Sequence, residues 1–383
     1  MSILFTPAKL GDVLIKNRFI HSACEDNMAT ESGDVTDEII NKLQKLSRGE
    51  VGLIIWSHLW VHPSGRTKRY QAGIYEDDMI DGLSRAASVV HNENGKIAFQ
   101  IGHGGLQARQ KTTGQSLMGP ASMTGSQIEE IINAFKSSAQ RAIESGADAI
   151  QLHAAHGYLL NEFLSPHFNQ REDEWGGSDE NRFRILKEII LEIRSILPDG
   201  FPLLVKLNTN DYMGKEGIGP SLAIKYAEWL KELSIDGLET SCGTSLGSPF
   251  CMCRGDVPVD EMVKSFPAST QEKMKIYFKS LIGKFDLKTP YNIEATKYIR
   301  PVFGDIPLFA VGGWRDLNQM EDAVSNGDTD FISMCRPFIR EPNLVKRFRK
   351  GKAVTALCKS CNKCLAALPN DFPVRCYYHG FPH

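Results

Sequence analysis

No stretch of this 383-residue chain stays apolar for the roughly 18 residues that a membrane-spanning helix requires. Positive charge is not in excess either: 44 lysines and arginines face 46 acidic residues, for a formal net charge of −2. That balance offers no basic surface to nucleic acid or to an anionic membrane. The opening residues, MSILFTPAKLGD, lack the basic, apolar and small-residue segments of a secretory leader. Nine cysteines, an odd number without such a leader, do not read as a disulfide framework. These absences lead us to expect a cytoplasmic protein in a reducing compartment. A glycine-rich dinucleotide turn of the kind a doubly wound sheet carries is also missing, as are internal repeats, low-complexity tracts and interdomain linkers.

What the chain does contain is a series of short apolar runs. NRFIHSA (17–23), VGLIIWS (51–57), KIAFQIGH (96–103), DAIQLH (148–153), PLLVKLN (202–208), DGLETS (236–241), PLFAVGG (307–313) and DFISMCR (330–336) are nearly continuous in apolar character, as strands covered on both faces should be. Helical periodicity fills the intervals. Ile128, Ile131, Ile132, Phe135, Ala139 and Ala142 form one stripe ahead of a C-capping Gly146; Phe183, Leu186, Ile189, Ile190 and Ile193 form another. Eight β–α alternations predict an α/β protein, a (β/α)8 TIM barrel over residues 1–350, with a cysteine-rich extension over 351–383. The long segment from Cys242 to Leu287 is expected to cover part of the barrel mouth.

In such a barrel the C-terminal ends of the strands converge on one face. Those positions hold Gln100 and His103, then His153, His156 and Tyr158, then Lys206, Gly312, Gly313 and Arg336. Each has a bland reading: a Gly-Gly pair is commonly a turn, a buried lysine a salt-bridge partner. Histidines three apart could be half of a metal site, although no acidic residue completes it at a recognised spacing. At successive strand ends, together, they read as a site: a cation for an anionic ring, glycines that let backbone amides reach a phosphate, and imidazoles beside a phenol.

Taken in order, NRFIHSACEDNMA, QIGHGG, HAAHGYLLNEFLSPHFNQREDEWGGSDENRFR, LLVKLN, AVGG and MCRPFIREPNLV resemble the Old Yellow Enzyme-type NADH:flavin oxidoreductases over nearly the whole chain. The resemblance implies FMN across the barrel mouth. Gln100 would bond the pyrimidine edge of the flavin, and Lys206, for the more frequent arginine, would stand near N1 and O2 to favour the reduced anion. Ser22, Ala23, Cys24 and Glu25 would run along the ring, while Gly312, Gly313, Cys335 and Arg336 would hold the phosphate. His153 and His156 match the pair that grips a substrate carbonyl oxygen, and Tyr158 the tyrosine that gives a proton to the α-carbon. Glu25 departs from the threonine, cysteine or aromatic of relatives; an ionised carboxylate there would lower the flavin potential unless it turned away. The implied activity is reduction of an activated C=C bond in a small molecule, by NAD(P)H, in a homo-oligomer. The alternatives are an amine dehydrogenase or demethylase and, outside catalysis, an electron-transfer or scaffold subunit.

The tail reads C-x2-C-x2-C-x11-C over Cys358, Cys361, Cys364 and Cys376. Four thiolates at such spacing suit a [4Fe–4S] cluster or a tetrahedral zinc. The pattern resembles the cluster motif of the trimethylamine dehydrogenase and dienoyl-CoA reductase branch, which favours the cluster. Larger members of that branch continue into a pyridine-nucleotide and FAD module. With no such module in this sequence, the expected electron source is NAD(P)H itself or a ferredoxin or flavoprotein partner. Cys251 and Cys253, a separate CxC, read as loop residues, with a second metal site or a redox pair as the alternative.

Overall fold

The computed structural model describes residues 2–247 and 249–382. Eight parallel strands close into a barrel: β1 (Phe19–His21), β2 (Leu53–Trp60), β3 (Ile97–Gly102), β4 (Ala149–Ala154), β5 (Leu203–Asn208), β6 (Gly237–Ser241), β7 (Leu308–Val311) and β8 (Phe331–Met334). They follow one another round the barrel in sequence order, with β8 paired to β1. Each expected apolar run supplies one strand. The outer helices are α1 (Asp37–Arg48), α2 (Ile80–His91), α3 (Gly125–Glu144), α4 (Asp179–Arg194), α5 (Pro220–Glu232), α6 (Ile293–Phe303), α7 (Leu317–Ser325) and α8 (Leu344–Arg349). The fold is a (β/α)8 TIM barrel.

Local sequence explains the helices. Thr124 and Gln127 cap the start of α3 reciprocally, satisfying amides that would otherwise lack partners. Its six-residue apolar stripe is buried, and the chain leaves the helix through Gly146 at φ +82°, a conformation that costs glycine little. In α4, Phe183, Leu186, Ile189, Ile190 and Ile193 are likewise buried.

Inside the barrel, side chains change character along the strands. At the N-terminal end Ile20, Leu53, Ile55, Ala98, Ala149, Leu204, Phe309 and Phe331 form an apolar layer. A hairpin of Ala8–Leu10 and Val13–Ile15 closes that end, adding Leu10 and Ile15 to the layer. The segment after β6 forms three short helices, Pro249–Met252, Val259–Val263 and Ala268–Lys279. Phe250, Met262, Phe278 and Leu281 there make a separate apolar cluster that includes Ala366 of the tail. The cysteine extension is therefore packed onto this segment beside the barrel mouth. Among the described residues no helix is long and apolar enough to cross a membrane.

Candidate active site

The open end of the barrel holds a cavity with about 980 Å³ of empty space, solvent at its mouth included. The three candidate catalytic residues and the ten candidate flavin residues all line it. His103 lies apart, tied to Ser64 and to the amide of Gly105.

The floor is a continuous polar network. Gln100 Nε2 donates to Gln151 Oε1 (2.7 Å), and Gln151 Nε2 donates to Glu239 Oε2 (3.1 Å). Glu239 Oε1 accepts from Ser333 Oγ (2.6 Å), and its Oε2 pairs with Lys206 Nζ at 3.2 Å. Lys206 donates to Ser22 Oγ (2.9 Å). Strand register makes this possible: Gln100 faces Gln151, and Lys206 faces both His153 and Glu239. Lys206 and Glu239 are 3% and 0% exposed in their side chains, so each charge depends on the other and on its hydrogen bonds. The positive charge read from Lys206 is thus countered from below by a carboxylate that the sequence reading had not singled out. Gln100 commits its amide nitrogen to Gln151, leaving its carbonyl oxygen for another partner.

One wall is made of rings. His153 meets His156 edge-on at 5.1 Å between centroids and Tyr158 at 4.8 Å. The backbone is bent for this: His156 and Gly157 have φ +67° and +76°, and the turn is held by Asn208 Oδ1 on the His156 amide and Asn161 Oδ1 on that of Gly157. His156 Nε2 is bonded to Ser241 Oγ (2.6 Å), so its remaining nitrogen is Nδ1. The Nδ1 of His153 is buried without a partner.

A third imidazole joins them. His58 packs against His153 (4.9 Å) and Tyr158 (4.4 Å), and both its nitrogens are buried without partners. Pairing of β2 with β3 slips between Trp56 and Leu59, with Ser57 at φ +50°. Such a bulge re-aims a side chain, and here it turns His58 to the cavity. Burial above all, with Lys68 nearby, lowers His58 to about 3. Burial likewise holds His153 and His156 well below the usual imidazole range, aided by His58 and by Lys206 respectively. All three rings are neutral at physiological pH, able to donate from one nitrogen.

Opposite stand Gly312 and Gly313 at φ +107° and +93°. A Cβ on Gly312 would lie 2.5 Å from the Tyr291 ring, and one on Gly313 2.7 Å from the backbone of Thr289 and Pro290. Only glycine fits that turn. The Arg336 guanidinium bonds the Arg254 carbonyl (2.8 Å) and Asn362 Oδ1 (2.5 Å), so part of it serves the tail.

Cys358, Cys361, Cys364 and Cys376 line a second hollow of about 320 Å³, and Arg336 lines both spaces. All four are free thiols. The CKSCNKC loop winds through positive φ at Ser360 (+59°) and Asn362 (+57°). Asn362 Nδ2 fixes it by donating to the carbonyls of Cys253 and Asp256. Arg315 reaches Cys358 Sγ at 3.6 Å, and Arg340 reaches Cys376 Sγ at 3.7 Å. Among the described residues no three metal-binding side chains converge on one point that a single ion could occupy. Sequence reasoning missed Cys253, Tyr291 and Arg315 as lining residues; the first two lie in the long segment after β6, whose course no periodicity forecasts, and Arg315 in the short turn before α7.

Comparison with known proteins fits this architecture. The chain is 28% identical over 378 residues to the 4,4'-dithiodibutanoate disulfide reductase of Rhodococcus erythropolis, covering 95% of this chain and 93% of that protein. Among solved structures, 2-naphthoyl-CoA reductase in complex with 2-naphthoyl-CoA superposes with a TM-score of 0.83 at 25% identity. The match takes in 98% of this chain but 56% of that one, so this chain spans little more than half of it. The old yellow enzyme homologue from Zymomonas mobilis shares the fold, with a TM-score of 0.74 at 24% identity over 92% of this chain and 94% of that one. The model of the NADH:flavin oxidoreductase / NADH oxidase family matches residues 3–246 and 257–354. With a glycine-lined cavity at the mouth of a matching barrel, this chain belongs to that family and is a flavin-dependent oxidoreductase.

Proposed function

We propose that the protein reduces an activated carbon–carbon double bond, conjugated to a carbonyl or thioester, at the expense of NAD(P)H or a protein carrier. The observation that carries this reading is the wall of neutral imidazoles facing a polar floor. Uncharged N–H donors polarise a carbonyl oxygen and stabilise the negative charge that develops on it, whereas an amine substrate would call for a cage of aromatic faces.

The cavity fits FMN by its glycine turn, where any Cβ would collide, and by the donors of its floor. Gln100 and Lys206 would hold the ring, and the amides of Gly312, Gly313 and Cys335 the phosphate. Bound FMN supplies the hydride and recovers its electrons from the reductant. His153 orients the substrate oxygen, with His156 beside it, and Ser241 fixes the His156 ring. The excursion carrying Met252 and Cys253, which line the cavity, narrows access for water.

At the tail, we read a [4Fe–4S] cluster rather than zinc. Four thiols round one hollow, on a loop of alternating handedness, suit a cluster that keeps its ligands apart. Zinc needs all its ligands within about 2.3 Å of one point. The free thiols of Cys358, Cys361, Cys364 and Cys376 suit a reducing, cytoplasmic setting. Reductive cleavage of a small disulfide is the second reading, favoured by the similarity to the Rhodococcus enzyme.

Anaerobic purification with FMN, iron and sulfide quantified tests the cofactors. Reoxidation of the reduced protein by 2-cyclohexenone, an enoyl-CoA thioester and a dialkyl disulfide then tests the substrates. His153→Ala combined with His156→Ala should keep the flavin colour and abolish reoxidation by the alkenes. Unchanged turnover in that variant would remove the imidazole wall from the mechanism.

A further inference from the structure

The geometry points to Glu25 as the proton source of this site, a neutral carboxylic acid in the cavity wall that protonates the atom made electron-rich when the substrate takes up hydride. This rests on the alkene reading above.

Glu25 follows β1 and lines the cavity. Its Oε1 accepts one hydrogen bond, from the Asn27 amide at 3.2 Å, and its Oε2 is buried without a partner. Among the described residues it has no ion-pair partner within 4.0 Å. Lys42, one of the two lysines whose charge reaches it, is taken by Asp26, which also accepts from Trp56 Nε1 (2.9 Å). An ionised carboxylate left with one amide and an empty second oxygen would lose its hydration without compensation. The neutral acid loses far less.

The groups around it come from four elements. Asp26 and the Cys24 thiol lie on its own segment, Lys42 on α1, Lys68 on the loop after β2, and Tyr158 after β4. Burial and then Asp26 disfavour the charged form; the Asn27 amide, Lys68 and Lys42 favour it; the balance raises Glu25 to about 8. Tyr158, the proton donor expected from sequence, fares worse. Burial, followed by the charge of Glu25, pushes its phenol far above the usual range. An efficient general acid titrates near the working pH, and of the two only Glu25 does.

The step balances as follows. The β-carbon of the alkene receives hydride from the reduced flavin, the α-carbon forms its new C–H bond with the Glu25 proton, and the Glu25 O–H bond breaks. The flavin is left oxidised and NAD(P)H restores it; the carboxylate regains a proton from water at the open mouth. Tyr158 then becomes a positioning residue, its ring set against His58 and His153.

The test uses FMN-loaded wild type, Glu25→Gln and Tyr158→Phe. Infrared spectroscopy of the resting protein should show a protonated-carboxyl carbonyl band at neutral pH that vanishes in Glu25→Gln. Single-turnover reoxidation by 2-cyclohexenone, followed on both sides of about pH 8, should slow in wild type as pH rises through that value. Glu25→Gln should be slower by about 10²–10⁴-fold and flat across the same window, whereas Tyr158→Phe keeps the break. Wild-type rate and profile in Glu25→Gln would overturn the inference, as would the absence of the carboxyl band, which needs no substrate. A band present in protein that leaves 2-cyclohexenone unreduced would instead sink the alkene reading while supporting Glu25 as the site's neutral acid.

Discussion

The two ends of the barrel are built from the same eight strands and share almost no chemistry. At the closed end the inward residues are Ile55, Ala98, Ala149, Leu204 and Phe331. Two residues further along the same strands come Gln100, Gln151, Lys206 and Ser333, and then, on β4, His153. Since alternate residues of a strand face the same way, one step of two converts a dry plug into a hydrogen-bonded floor. A second step reaches the wall of rings. The separation lets stability and chemistry be altered with little interference, as barrel architecture generally allows.

The largest effect should come from damaging the closed end. Phe309, fully buried and edge-on to Phe331 at 4.9 Å, should cost about 3–5 kcal/mol when changed to Ala, read from denaturant unfolding. The folded fraction should keep the wild-type spectrum of bound FMN, and a changed spectrum would show that the ends are not independent. Next in size is Glu239→Gln, which leaves Lys206 buried opposite a neutral amide. We expect a loss of about 3 kcal/mol and, unlike the closed-end change, a raised flavin midpoint potential, because an uncountered cation favours the reduced anion. Spectroelectrochemistry checks the sign.

A third effect, smaller per unit of pH and absent at neutrality, is tied to acid. His58 is lowered to about 3 in the folded protein from 6.5, so the unfolded chain binds its proton first. Its contribution is a stability that falls as pH drops below about 6.5. His58→Phe should make that slope shallower by about 1.4 kcal/mol per pH unit, measured as unfolding free energy between the two values. Least should be Thr124→Ala, outside both regions: about 1 kcal/mol from the lost cap of α3, with flavin potential and turnover unchanged.

Much of this was legible in the sequence because it is local. Each strand announced itself by an apolar run and α3 by its stripe and terminal glycine. The strand-end residues could be read because strand ends are where a barrel gathers them. Glu239 was not read, although an acid inside DGLETS was a visible signal; what satisfies it lies 88 and 94 residues away at Gln151 and Ser333. His58 was hidden by a bulge, which breaks the alternation that locates inward residues. The seat of the tail depends on bonds such as Asn362 to Asp256, 106 residues apart, which spacing alone does not reveal.

Two arginines join that tail to the glycine-turn side of the cavity. Arg315, two residues beyond the glycine turn, spends its guanidinium on Cys358 and Ser360, and Arg336, 8% exposed, spends part of its own on Asn362. Cutting away the cysteine loop would strand both cations where water is scarce, beside the glycine turn proposed to grip the FMN phosphate. A shortened protein should therefore release FMN more readily, which would make the cysteine loop a keystone of the cavity beside it.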